Sequence, residues 1–282
     1  MTGQHEGLRK PLPRNRTFEQ LRHHYEVERA IARRLKKANR EERKALYATM
    51  YNELFRQVPD HPRLTQRQSD EMSATAIRSK MNFVRPFINS KTVFVEFAPG
   101  DCLFAAEVSG EVERVYGVDI SDQRGKAGES PENFELIVYD GYCLDLEENS
   151  VDVFFSDQLI EHLHPDDTAH HFRTVKRILK KGGLYLFRTP HSYLGPEDIS
   201  GYFSEKSEGF HLKEWTYREL AEMVDAQGYE SLRTFYPVKG RYLGLTPKYF
   251  STVENAVKYF PSQMRRLIST CMIRGIHAAA VK

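Results

Sequence analysis

The chain has 282 residues, 40% of them hydrophobic, and a formal net charge of +2, enough apolar sequence to bury the core of one main domain with additions. No apolar run approaches the roughly 20 residues that cross a bilayer, and the N-terminus lacks the apolar stretch of a signal peptide. Three cysteines, Cys102, Cys143 and Cys271, odd in number and without CxxC spacing, argue against a disulfide framework or a zinc knuckle and predict a reducing, cytoplasmic setting.

In chain order, residues 1–16 are rich in Pro and Arg and predict a disordered tail. Residues 1–70 hold 16 Lys and Arg against 9 Asp and Glu, whereas the remainder holds 25 against 30. The basic charges are interspersed with Glu along helix-like sequence, which reads as a solvated helix face before it reads as a nucleic-acid surface. From Thr17 to Val58, Leu46, Met50, Leu54 and Val58 recur at every fourth position with Tyr47, Tyr51 and Phe55 beside them; Leu21, Tyr25, Ile31 and Leu35 form a weaker stripe. Pro59 and Pro62 stop that helical run. With a further helix near 70–88, residues 17–88 form a predicted helical N-terminal cap.

From residue 93 short apolar runs alternate with helical segments, which predicts a doubly wound, Rossmann-like α/β domain over 89–282 with a parallel sheet and crossover helices. Seven strands are expected, at 93–97, 113–118, 134–138, 152–156, 183–189, 230–236 and 275–281, with helices near 101–109, 166–180 and 215–227. The aromatic segment 237–270 is too long for a hairpin and predicts a lid-like helical insertion.

Two strand ends carry the chemistry. The run Val93–Phe97 ends through Glu96 into Ala98-Pro99-Gly100, and Val115-Tyr-Gly-Val-Asp119 ends in an acid. An α/β domain holds an adenosine-containing ligand at such ends, with Asp119 placed to accept both ribose hydroxyls. A carboxylate at Glu96 repels a pyrophosphate but suits a ligand bearing an ammonium and a sulfonium.

The ordered motifs between about 90 and 236 resemble those of class I S-adenosylmethionine-dependent methyltransferases, of the subgroup acting on small molecules, sugars, quinones and lipids. Glu96-Phe97-Ala98-Pro99-Gly100-Asp101-Cys102 is similar to the glycine-rich first motif, with Ala98 and Cys102 at its first and third glycines. Asp119, followed by Ile120, matches the ribose-binding acid, and Asp140-Gly141 the element that contacts adenine. Asn149–Leu163, with Asp157 and Gln158, resembles the fourth-strand block, and Leu179–Pro190 the fifth helix–strand turn. The resemblance implies S-adenosylmethionine as cofactor, held by these residues, and methyl transfer to a small-molecule acceptor, with oxygen as the expected atom and sugar- or lipid-linked molecules among the candidates. An added methyl at 98 is tolerable unless that position needs a positive φ.

His191, at the end of the fifth strand, and His211, before the helix that starts at Thr216, are candidate bases, because imidazole titrates near neutrality; His162 is the third. Each of the three has a structural alternative, a loop-anchoring or packing histidine. The cluster His162, His164, Asp166, Asp167, His170 and His171 lacks two-histidine helical spacing, and no metal site is predicted from it. Tyr193, Tyr202, Phe203, Phe210 and Trp215 suggest an apolar lid, and Arg188 a pairing with an acid or an anionic substrate. Three alternatives stay open: a non-catalytic methyltransferase-like binding subunit, an NAD-dependent oxidoreductase and an RNA methyltransferase.

Overall fold

The computed structural model describes residues 8–65, 70–124 and 130–282. Helix α1 (Phe18–Lys37) starts at Thr17 and α2 (Arg40–Gln57) at Asn39, each through a capping box in which the third helical residue, Gln20 or Glu42, answers the cap. Their apolar stripes, including Ile31, Leu35, Met50 and Leu54, pack together with Tyr142, Phe210 and Leu212 of the domain below. The short helix α3 (Pro62–Thr65) follows, and then α4 (Asp70–Val84). Helix α4 packs elsewhere, burying Met81, Phe83 and Val84 against Phe94, Phe155 and Leu186 on one face of the sheet. The helices of the expected cap over 17–88 thus pack on different surfaces, because the α4 stripe finds a sheet face and not α1 and α2.

The expected tail also divides. Residues 1–7 lie outside the described residues, while residues 8–16 are held in place. Arg16 is buried and donates to Asp60 Oδ2, His24 Nδ1 and Gln20 O, and the Arg9 amide donates to Tyr202 O. A guanidinium with that many acceptors orders a segment that composition alone reads as loose.

The sheet comprises β1 (Val93–Phe97), β2 (Arg114–Asp119), β3 (Phe134–Val138), β4 (Val151–Asp157), β5 (Leu179–Thr189), β6 (Ser231–Val238), β7 (Arg241–Leu245) and β8 (Ile276–Val281). Its order is β3-β2-β1-β4-β5-β8-β6-β7. Strands β1 to β5 pair in parallel, and β8 runs antiparallel to both β5 and β6. Seven strands fall where the apolar runs predict them. The eighth, β7, lies inside the expected insertion and pairs antiparallel with β6. Lys239 and Gly240, at φ 46° and 77°, close that hairpin with the two left-handed residues that a twisted two-residue turn requires.

Helices α5 (Leu103–Ser109), α6 (Pro165–Ile178), α7 (Tyr217–Ala226), α8 (Pro247–Val257) and α9 (Ser262–Met272) complete the order. Alternate residues of each central strand serve opposite layers: Phe154 faces the core formed with α6, α7 and α8, and Phe155 the core formed with α4 and α5. Helix α8 is part of that core, with Phe250 fully buried, so only α9 of the expected lid stands beside the site. Strand order reverses between β1 and β4, and their carboxyl ends define the switch point where an open α/β sheet has its crevice.

Candidate functional site

A cavity of about 230 Å³ opens at this switch point. Its floor comes from the carboxyl ends of the strands and the residues that follow: Phe97, Ala98 and Gly100 at β1, Asp119 and Ile120 at β2, Tyr139 and Gly141 at β3, Asp157 and Gln158 at β4. Its roof is α2, through Tyr47, Met50 and Tyr51, and His162 stands at its edge. Nine sequence-derived candidates therefore share one cavity: Phe97, Ala98, Gly100, Asp119, Ile120, Gly141, Asp157, Gln158 and His162. The roof residues and Tyr139 are not among the sequence-derived candidates: Met50 belongs to the apolar stripe that predicts α2, with Tyr47 and Tyr51 beside it, and such a stripe reads as core.

The first-motif loop is a run of left-handed residues. Ala98, Gly100 and Cys102 have φ of 54°, 58° and 63°. The condition set for Ala98 fails: the position does need a positive φ, and alanine and cysteine occupy it at 98 and 102 at the expense of backbone strain. The loop is tied down by the Ala98 amide donating to Val118 O. Asp119 lines the cavity and accepts from the amides of Ile120, at 2.7 Å, and Ser121, at 3.3 Å, through Oδ1. Burial raises its pKa.

Two expected cofactor residues do not reach the cavity wall. Glu96 is 1% exposed beneath the loop, where Lys80 of α4 donates to its Oε1 at 3.3 Å and its Oε2 has no partner. Burial pushes this carboxyl up to about 7, against the pull of Lys80. Lys80 also lies 3.7 Å from Asp157, which binds Arg188 through two bonds of 2.8 and 2.6 Å. Burial raises the Asp157 carboxyl, but Arg188 and Lys80 outweigh it and leave it below its usual range. Asp140 accepts from the amides of Tyr142 and Cys143 and from Lys44 Nζ at 2.6 Å. Those bonds hold its carboxyl well below the usual range. It anchors the turn that puts Gly141 on the cavity wall and does not itself line the cavity.

A second cavity, about 850 Å³, adjoins the first and shares Asp157 and Gln158 with it. Arg188, Arg266 and Arg274 line it together with Asp157, Glu197, His211 and His277; Arg188 is paired with Asp157, and Arg266 lies 3.9 Å from Glu197. A third, about 450 Å³, includes His162 and His211 and meets both. His162 and His211 pack edge to face at 4.9 Å. Burial lowers His162 to about 3. For His211 the downward effect of burial is outweighed by Glu214, Glu161 and Asp198, and its pKa lies above the usual value.

His191 is the candidate that the structure removes from the site. It is fully buried and lines none of the three cavities. Its Nδ1 accepts from the Tyr193 amide, so its proton sits on Nε2, 2.8 Å from Glu254 of α8. It pins α8 to the end of β5. Of the neighbouring histidines, His164 caps α6, His170 meets Tyr142 O, and His171, on the wall of the first cavity, meets the Tyr185 hydroxyl. Of the expected aromatic lid, Phe210 and Trp215 are buried and Phe203 stacks on Tyr25 at 4.7 Å.

Residues 95–187 match the methyltransferase domain family. No curated protein matches the chain significantly. Among solved structures it is similar to the complex between the Haloferax volcanii Trm112 methyltransferase activator and a methyltransferase, at 15% identity and TM-score 0.54, covering 75% of this chain and 92% of that one. It is also similar to Burkholderia thailandensis 1,6-didemethyltoxoflavin-N1-methyltransferase with bound 1,6-didemethyltoxoflavin and S-adenosylhomocysteine, at 15% identity and TM-score 0.53, covering 87% and 91%. At such identity the likeness is one of fold. Residues 95–187 therefore match a methyltransferase domain, and the sheet that contains them has the Rossmann-like fold of those structures.

Proposed function

We propose that the protein transfers the methyl group of S-adenosylmethionine to an oxygen of a small-molecule acceptor. The observation that carries this reading is the pair of cavities joined at Asp157 and Gln158. The smaller one has an acid for the ribose, Asp119, and apolar walls for adenine, Ile120 and Tyr139; the larger one accepts the second substrate. In-line attack of the acceptor oxygen on the methyl forms the new O–C bond, and the S–C bonding pair leaves with sulfur. Such a reaction needs chiefly alignment of donor and acceptor away from water, which a roofed cavity meeting a wider one supplies. His162 and His211 border the passage, where an acceptor hydroxyl would be held and its proton removed. Arg274 on the rim favours an acceptor carrying an anionic group.

Calorimetric titration with S-adenosylhomocysteine tests the reading, beside NAD and Asp119→Ala controls. Micromolar binding, weakened at least tenfold in Asp119→Ala, is expected, since a lost charge-assisted bond to a ribose hydroxyl is worth about 1.5 kcal/mol or more. Absence of binding to folded protein would leave a non-catalytic binding role, and preference for NAD would make the chain an oxidoreductase. Salt-sensitive RNA binding lost on removing residues 1–58 would instead support an RNA acceptor.

A further inference from the structure

Glu161 and His162 lie in the turn after β4, and His211 lies in the loop before α7. One ligand atom from each lies within 4.8 Å of the other two, the single such group among the described residues. The sequence cluster around residue 162 does not converge, as the separate partners of His164, His170 and His171 show; the histidine that joins His162 comes from about fifty positions downstream.

Each of the three side chains is fixed by a neighbour and left with a free lone pair. His162 Nδ1 is 3.0 Å from the Phe210 carbonyl, which only accepts, so Nδ1 carries the proton and Nε2 is bare. His211 Nδ1 is 2.8 Å from Glu214 Oε1, which sets the same tautomer when the ring is neutral. Glu161 is fully buried; its Oε2 accepts from Thr189 Oγ1 at 2.8 Å, and its Oε1 is buried without any hydrogen-bond partner. A buried carboxylate oxygen left unpaired is expensive unless a cation satisfies it. Histidines that give their outer N–H to a carbonyl and a carboxylate, beside a carboxylate held by a hydroxyl, are what orients a ligand set around a metal.

We propose that Glu161, His162 and His211 bind one divalent transition-metal ion. Two imidazoles and a carboxylate suit Zn²⁺ and leave at least one coordination position for an exogenous ligand. His162 lines the cofactor cavity and His211 the acceptor cavity, so that position faces the passage between them. Resting on the methyl-transfer reading, the ion's role is to hold the acceptor oxygen. The coordinated hydroxyl gives its proton to water, its lone pair forms the O–CH₃ bond, and the S–CH₃ pair remains on sulfur as a neutral thioether.

The test uses full-length protein freed of metal with a chelator. Zn²⁺ is titrated calorimetrically and Co²⁺ by its visible ligand-field bands, with S-adenosylhomocysteine titrated in parallel. One equivalent of metal is expected, with affinity reduced at least 100-fold in both Glu161→Gln and His211→Gln. His170→Gln, on a histidine outside the group, should stay within twofold of wild type, and circular dichroism should show each variant folded. No stoichiometric binding to folded wild-type protein, or undiminished affinity in Glu161→Gln, would overturn the site. Metal bound while S-adenosylhomocysteine is not would sink the methyl-transfer reading and spare the site; the reverse pattern would do the opposite.

Discussion

Arg43 on α2 grips Asp167 on α6 through two hydrogen bonds of 2.7 Å, and both side chains are almost wholly shielded from solvent. The Tyr47 and Tyr142 hydroxyls donate to the same carboxylate. This joint holds the roof helix over the cavity, since Tyr47 and Asp167 both line it. Truncating one partner strands the other charge in a poorly hydrated place, so Arg43→Met is expected to cost about 3 kcal/mol. Urea unfolding at unchanged m value reads this directly; a loss below about 0.5 kcal/mol, the scale of an exposed pair, would show that the joint does not hold the roof.

The buried His191–Glu254 contact sets structural and catalytic roles apart. Glu254 Oε1 also accepts from the Tyr217 amide at the start of α7, so one carboxylate ties β5, α7 and α8 together. His191→Gln should lower stability by about 2–3 kcal/mol, through a stranded buried acceptor. Affinity for S-adenosylhomocysteine, measured on the folded fraction, should stay within twofold. A folded variant of wild-type stability with lost turnover would restore His191 as a base.

Glu96 gives the stability a definite pH dependence. Its carboxyl is raised from about 4.5 to about 7 by burial, with Lys80 opposing and Asp157 and Asp101 reinforcing. The unfolded chain therefore ionises first, and the folded state loses stability as pH climbs from 4.5 to 7, levelling off above. At about 1.4 kcal/mol per pH unit over that window, the contribution is about 3.5 kcal/mol. Glu96→Gln removes the ionisation, so the stability difference between variant and wild type should grow in the variant's favour across that window. A difference that does not change with pH would show that Lys80 neutralises the carboxylate completely.

The strained loop after β1 predicts two substitutions of opposite sign. Ala98→Gly relieves a left-handed alanine, and Gly100→Ala creates one where the new methyl would meet nothing within 4 Å. The left-handed penalty is about 1–2 kcal/mol per residue, offset by about 0.4–1 kcal/mol of unfolded-state entropy. Thermal unfolding should thus show Ala98→Gly stabilised and Gly100→Ala destabilised, each by about 0.5–1 kcal/mol by that balance. Equal signs would contradict the loop geometry.

Much of the fold is legible because its signals are local. β1 and β4 are apolar runs ending at acids, α1 and α2 announce themselves by stripes and capping residues, and Asp119 sits where a strand end meets a turn. What escaped depends on distant partners. Glu96 and Asp140 read as ligand contacts until Lys80 and Lys44, from helices earlier in the chain, claim their carboxylates. β7 hides in an aromatic segment because its hairpin turn, Lys239-Gly240, is not one of the common turn pairs. Glu161 and His211 are brought together only by the path of the chain through β5, which no spacing rule encodes.

The roof over the switch-point cavity belongs to a part of the chain outside the residues that match the methyltransferase domain family: Tyr47, Met50 and Tyr51 precede residue 95. Whatever occupies the cavity therefore lends its binding free energy to the folding of α1 and α2, by RT ln(1 + [L]/Kd). At a hundredfold excess over Kd, that slows local opening of the two helices by about a hundredfold. Amide exchange along residues 40–57 should respond to the ligand even though most of that helix never touches it.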